Sequence, residues 1–140
     1  MTKEEAKELL MYHSFTHEDI DHPKSENGFL GMLRPFSGEL IEDNFHEVME
    51  ALKTLAHELE TEEKIDKKVI SALWRICHLS RAWAIHPDGM LRRNNLITDK
   101  QIQELEGWIE DISYATMFLL DGSGIEVAFE PYNERRKQIL

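Results

Sequence analysis

The chain has a single cysteine, Cys77, among 140 residues. That excludes an internal disulfide framework and every zinc module built on paired cysteines. Proline and glycine are scarce, at 4 and 7 residues, which is too few for a fibrous or low-complexity chain. Positive charge is also in short supply. Sixteen Lys and Arg face 27 Asp and Glu, leaving a formal net charge of −11 and a pI near 5.0. A field of that sign repels nucleic-acid phosphates and anionic membranes, and favours basic partners. No stretch approaches the roughly 18 uninterrupted apolar residues of a membrane span. The opening MTKEEAKELL has no apolar leader, and the closing ERRKQIL carries no lipidation or retention signal. These absences set the expectation of a soluble, cytoplasmic protein with no nucleic-acid and no membrane partner. Gly-rich phosphate loops, Gly-x-Ser-x-Gly elbows and dinucleotide fingerprints are missing as well, so no cofactor is implied.

What remains is 41% hydrophobic and 31% charged, enough for one core and one domain over residues 1–140. Thr2 and Glu5 form a T-x-x-E capping box that opens a short first helix with Ala6, Leu9 and Leu10 on one side. From about residue 14 to 38 the period fails. Two prolines, three glycines and an Asn-Gly pair break the segment, yet Phe29, Leu30, Met32, Leu33 and Phe36 make it too apolar to be solvated. It reads as an ordered arm closing one end of a bundle, with room for a short strand at GFLGML.

The next segment has the clearest period. Ile41, Phe45, Val48, Leu52, Leu55 and Leu59 recur at steps of four and three, which is one helical stripe of about five turns. Thr61 then reads as the cap of a third helix from about Glu62 to Ile85. Its apolar residues, from Ile65 through Trp74 and Cys77 to Trp83 and Ile85, exceed one stripe, so this helix is expected to be central and buried on most sides. His86-Pro87-Asp88-Gly89 ends it as a turn. Thr98 and Gln101 open a fourth helix running to Leu120, with Gly122 placed to take the left-handed conformation behind it. IEVAFEP alternates like a short strand, and residues 130–140 read as a loose tail. The expected fold is therefore all-α: an antiparallel bundle of three long helices plus a short N-terminal one, with a long ordered loop and at most a minor β-hairpin.

Three constellations carry candidate chemistry. His13, His17 and His22, among Glu18, Asp19 and Asp21, include an i, i+4 pair that on a helix would put two imidazoles about 6 Å apart, suited to a divalent metal. Ser14 stands where a catalytic zinc helix carries Glu, and the plainer reading is polar residues on a solvated loop. Arg75, His78 and Arg81 recur every three residues on the third helix. They read either as cations paired with neighbouring acids or as a pocket for an anionic group. Arg92 and Arg93 follow the turn and suit capping of the preceding helix better than phosphate contact. Cys77 reads as a small buried hydrophobe. Trp74, Trp83 and Trp108 are spaced as core residues, and any one of them left exposed would mark a binding surface.

The expected function is that of a non-enzymatic acidic protein whose carboxylates, with Glu42, Asp43, Glu47, Glu50 and Glu58 as the partner-binding set, engage a basic protein. Bacterial toxin-neutralising immunity proteins are similar in physique, being small, acidic and often helical, although no motif carries that resemblance. A helical ligand- or metal-binding domain or enzyme built on the Arg75/His78/Arg81 stripe is the alternative. Composition leaves the oligomeric state open.

Overall fold

The first helix, α1 (Lys3–His13), starts at the capping box: Thr2 accepts from the amide of Glu5, whose side chain returns to the amide of Thr2. In the computed structural model, which describes residues 1–139, seven further α-helices follow. These are α2 (Pro23–Asn27), α3 (Phe29–Leu33), α4 (Glu42–Thr61), α5 (Lys67–Ser80), α6 (Met90–Arg93), α7 (Asp99–Leu120) and α8 (Ile125–Ile139). A π-helical turn, Arg81–Ile85, extends α5. The all-α bundle expected from the periodicity is the observed fold, and no strand occurs among the described residues. Among those residues no helix is long and apolar enough to cross a membrane.

Four helices form a ring. α1 packs on α4 and α5, and α7 closes the ring by packing on the same two. Inside it, Leu10, Phe45, Val48, Leu52, Leu55, Leu73, Ile76, Leu105, Trp108, Ile109 and Ile112 make one buried cluster. Phe45 stacks on Trp108 with ring centroids 5.4 Å apart, and Phe29 meets the same indole edge-on. Contacts of this kind add stabilisation beyond that of the buried area alone.

Several expectations are corrected. The arm over 14–38 is ordered as expected, but GFLGML is helical. A lone strand there has no edge to pair with, whereas α3 buries Phe29, Leu30, Gly31, Met32 and Leu33 together. The only bridge in the region is the isolated pair Leu33 and Phe36. The helix expected from Glu62 begins at Lys67 instead, because the Asp66 carboxylate accepts from the amide of Lys68 and caps it. Thr61 belongs to the last turn of α4, where its hydroxyl bonds the carbonyl of His57.

The C-terminal strand and the tail as far as Ile139 are also replaced by a helix, and residue 140 lies outside the described residues. Ala128, Phe129 and Tyr132 are buried and Arg135 half-buried, a helical spacing that the alternation of Ile125, Val127 and Phe129 obscures. Arg135 ties α8 to α7 through a 2.6 Å ion pair with buried Asp111. α8 thereby lies across the seam between α7 and α4. Across the seam between α5 and α7, no helix of the described residues is laid.

Candidate functional site: a groove between α5 and α7

The open seam is a groove of about 570 Å³. From α5 it receives Ile70, Leu73, Trp74, Cys77, His78 and then Arg81, which are successive turns of one helix face. α7 contributes Glu110, Ser113, Tyr114, Thr116, Met117 and Leu120. The two helices run antiparallel: Arg81 and Glu110 meet at one end at 3.9 Å, and Ile70 and Leu120 lie toward the other.

The sequence reads this helix as buried on most sides with Trp74 in the core, and this is where the structure departs from it most. Trp74 is 73% exposed, Met117 50% and Leu120 43%. The excess apolar stripe of α5 is present, but only Val69, Ala72, Leu73 and Ile76 turn into the ring. The second stripe faces the groove. The widening of the apolar surface at Tyr114, Met117 and Leu120 is the matching signal on α7. Trp108 fills the core as expected, and Trp83 is half-buried.

The Arg75/His78/Arg81 stripe does not converge on one pocket. His78 and Arg81 line the groove, while Arg75 turns to the arm and donates from Nε to the carbonyl of Ser14 at 2.9 Å. Cys77 lies beneath the groove, and burial pushes its thiol up to about 11. A thiol held protonated in this way is a poor nucleophile. Arg92 donates to the carbonyl of Ile85 at 2.8 Å, which is the capping role read from the sequence.

The three histidines are not brought together. His13 is fully buried: its Nδ1 accepts the amide of Phe29 at 2.8 Å, so Nε2 carries the proton and donates to Glu47 at 2.8 Å. Both nitrogens are thus spent inside the protein. His17 and His22 stack on the ring of Tyr12 at centroid distances of 3.8 and 4.1 Å, so a whole ring separates them. Each uses Nδ1 to accept a main-chain amide, from Asp19 and Lys24 respectively. Among the described residues no group of three His, Cys, Asp or Glu is placed to hold a metal ion. The i, i+4 spacing of His13 and His17 fails because α1 ends at His13, before the second ring.

The five carboxylates assigned to partner binding divide. Glu42 and Asp43 are exposed in the first turn of α4, with His46 3.7 Å from Glu42. Glu50 is exposed and meets Arg136 of α8 at 3.4 Å. Glu58 is half-buried beside Lys7, which also reaches Asp66. Glu47 faces inward: the hydrogen bond from His13, aided by Lys24 at 2.6 Å, holds its carboxyl down to about 2. It is a structural acid that fastens α2 and the arm to α4.

Comparisons with protein-family models, with curated proteins and with solved structures return no match. The chain is described by its fold class, an all-α helical bundle, and by the open groove between α5 and α7.

Proposed function

We propose that this chain is a non-catalytic binding protein that engages a basic protein partner through its acidic exterior. One observation supports the reading above the rest: many of the cations are spent within the molecule. Lys7, Lys24, Arg75, Arg92 and Arg135 each hold a carboxylate or a carbonyl of the chain itself. Carboxylates such as Glu42, Asp43, Glu104, Glu106 and Glu130 remain exposed. Where cation and carboxylate pair they cancel one for one, so the excess of eleven negative charges falls to the remaining, largely exposed carboxylates. A rigid acidic surface accelerates encounter with a basic partner and suppresses association with acidic ones. Neutralisation of a basic toxin or enzyme, as an immunity-type inhibitor performs it, is the finer form of the proposal, and it rests on this physique alone.

The test is capture of partners by the immobilised chain at about 50 and 500 mM salt, with mass spectrometry of what is retained. A basic protein released by salt, and lost to the paired reversal Glu42→Lys with Asp43→Lys, supports the reading. Retention of neutral or acidic proteins only, or capture indifferent both to salt and to the reversal, overturns it.

A further inference from the structure

The groove is not uniformly acidic, and its pattern of charge bears on what fills it. Its α7 rim carries Glu110 and continues into exposed Asp121, whereas its α5 rim carries His78 and Arg81. Between the charged ends lie the exposed apolar residues Trp74 and Met117. A uniformly basic partner would be repelled along one rim and attracted along the other. A surface with one acidic and one basic rim instead complements its own image.

The register of the two helices makes this concrete. The side-chain ends of Arg81 and Glu110 meet at 3.9 Å, which brings their turns close to one level. Because the helices are antiparallel and rise about 1.5 Å per residue, Trp74, seven residues before Arg81, is level with Met117, seven residues after Glu110. A two-fold axis running along the groove preserves those levels. It lays α5 of one copy on α7 of the other.

We infer that the α5–α7 groove is a homodimer interface, occupied by the same groove of a second copy. Each indole packs on Met117 of the second copy, a favourable sulfur–aromatic contact. Each Arg81 faces Glu110 of the second copy, so the partly exposed pair within one chain becomes two pairs across the axis. The contact is isologous, which is the commonest geometry of soluble oligomers. It also supplies the helix layer that the α5–α7 seam lacks within one chain, as α8 does for the α7–α4 seam. At physiological ionic strength charges beyond about 8 Å are largely screened, so the net charge of each copy opposes this contact less than the count implies.

Sedimentation equilibrium of the full chain from about 1 to 100 µM tests it. The expected species has twice the 16.4 kDa chain mass. Trp74→Glu, at an exposed position where the fold does not depend on the indole, weakens the dimer by about 100-fold or more, with circular dichroism unchanged. Arg81→Glu alone and Glu110→Arg alone each place like charges across the axis twice and weaken self-association about 10-fold. Mixed one to one, the two variants form a heterodimer in which both crossings are again opposite in sign. A dimer that tolerates Trp74→Glu, or a mixture showing no preference for the heterodimer, overturns the inference. So does a chain monomeric at 100 µM; if Trp74→Glu then abolishes capture of a basic protein, the groove belongs to that partner.

Discussion

His13 and Glu47, 34 positions apart in sequence, are joined by a 2.8 Å hydrogen bond from the imidazole Nε2 to the carboxylate. The other imidazole nitrogen accepts the amide of Phe29, the first residue of α3. One buried ring thus ties together the end of α1, the start of α3 and the second turn of α4, and positions the whole arm.

Replacing that ring is expected to be costly. His13→Ala leaves the Phe29 amide unpaired in the interior, strips Glu47 of a donor and opens a cavity. A loss of about 3 kcal/mol is expected, from one orphaned buried amide plus truncation of a buried side chain. Urea unfolding measures it, and a change within about 0.5 kcal/mol would contradict the clasp.

Acid should release the same clasp. Glu47 is held at about 2 against an ordinary 4.5, first by the His13 hydrogen bond and then by Lys24, with burial opposing. A carboxyl depressed in the folded state stabilises fully above its unfolded pKa. That contribution is lost as pH falls from about 4.5 to 2, and it amounts to about 3 kcal/mol at most. Glu47→Gln is predicted to lower stability at pH 7 and to flatten its decline over that window. Parallel pH profiles for the two proteins would refute this.

The π-helical turn is locked by Gly89. A Cβ there would lie 2.5 Å from the carbonyl oxygen of Ala82 and 2.8 Å from that of Trp83, both main-chain atoms that cannot swing aside. Gly89→Ala is expected to cost about 2–4 kcal/mol. Gly107→Ala meets only the guanidinium of Arg135, a flexible side-chain end, and helix propensity favours the alanine. Thermal melts should rank Gly89→Ala well below Gly107→Ala; equal melting temperatures would show that the turn is not pinned at this glycine.

Cys77 offers a chemical readout of the groove floor. With its thiol at about 11 instead of 9, the thiolate fraction at pH 8 falls about 100-fold. Reaction with Ellman's reagent should be slower by at least that factor in the native protein than in urea. Equal rates would mean that the thiol is neither buried nor raised.

Local chemistry was legible in the sequence and tertiary partnership was not. The Thr2/Glu5 and Thr98/Gln101 boxes, the α4 stripe from Phe45 to Leu59 and Gly122 in the left-handed conformation all appear as read, since each depends on residues within a turn or two, whereas Ile41 caps α4 from outside and is exposed. The alternation over Ile125–Phe129 fits both a strand and a helical period in so short a window, so α8 is not legible there. Tyr132 packed edge-on to Phe45 and Arg135 paired with Asp111 decide for the helix, and those partners are more than twenty residues away. α3 is equally illegible, because a five-residue apolar run carries no period and only its burial on the bundle decides for a helix.

At the candidate sites the division is the same. Sequence alone determined that the protein is acidic, helical and without a cofactor fingerprint, because counts and periods are properties of the chain itself. It also determined that α5 carries more apolar residues than one buried stripe uses. Only the tertiary structure decided which of them remain outside. A helix in a four-membered ring meets neighbours on two sides and the core between them; the side of α5 that holds Trp74 is the one left over. In the same way Glu47, one acid among twenty-seven by composition, became a clasp, because folding alone brings His13 and Lys24 against it.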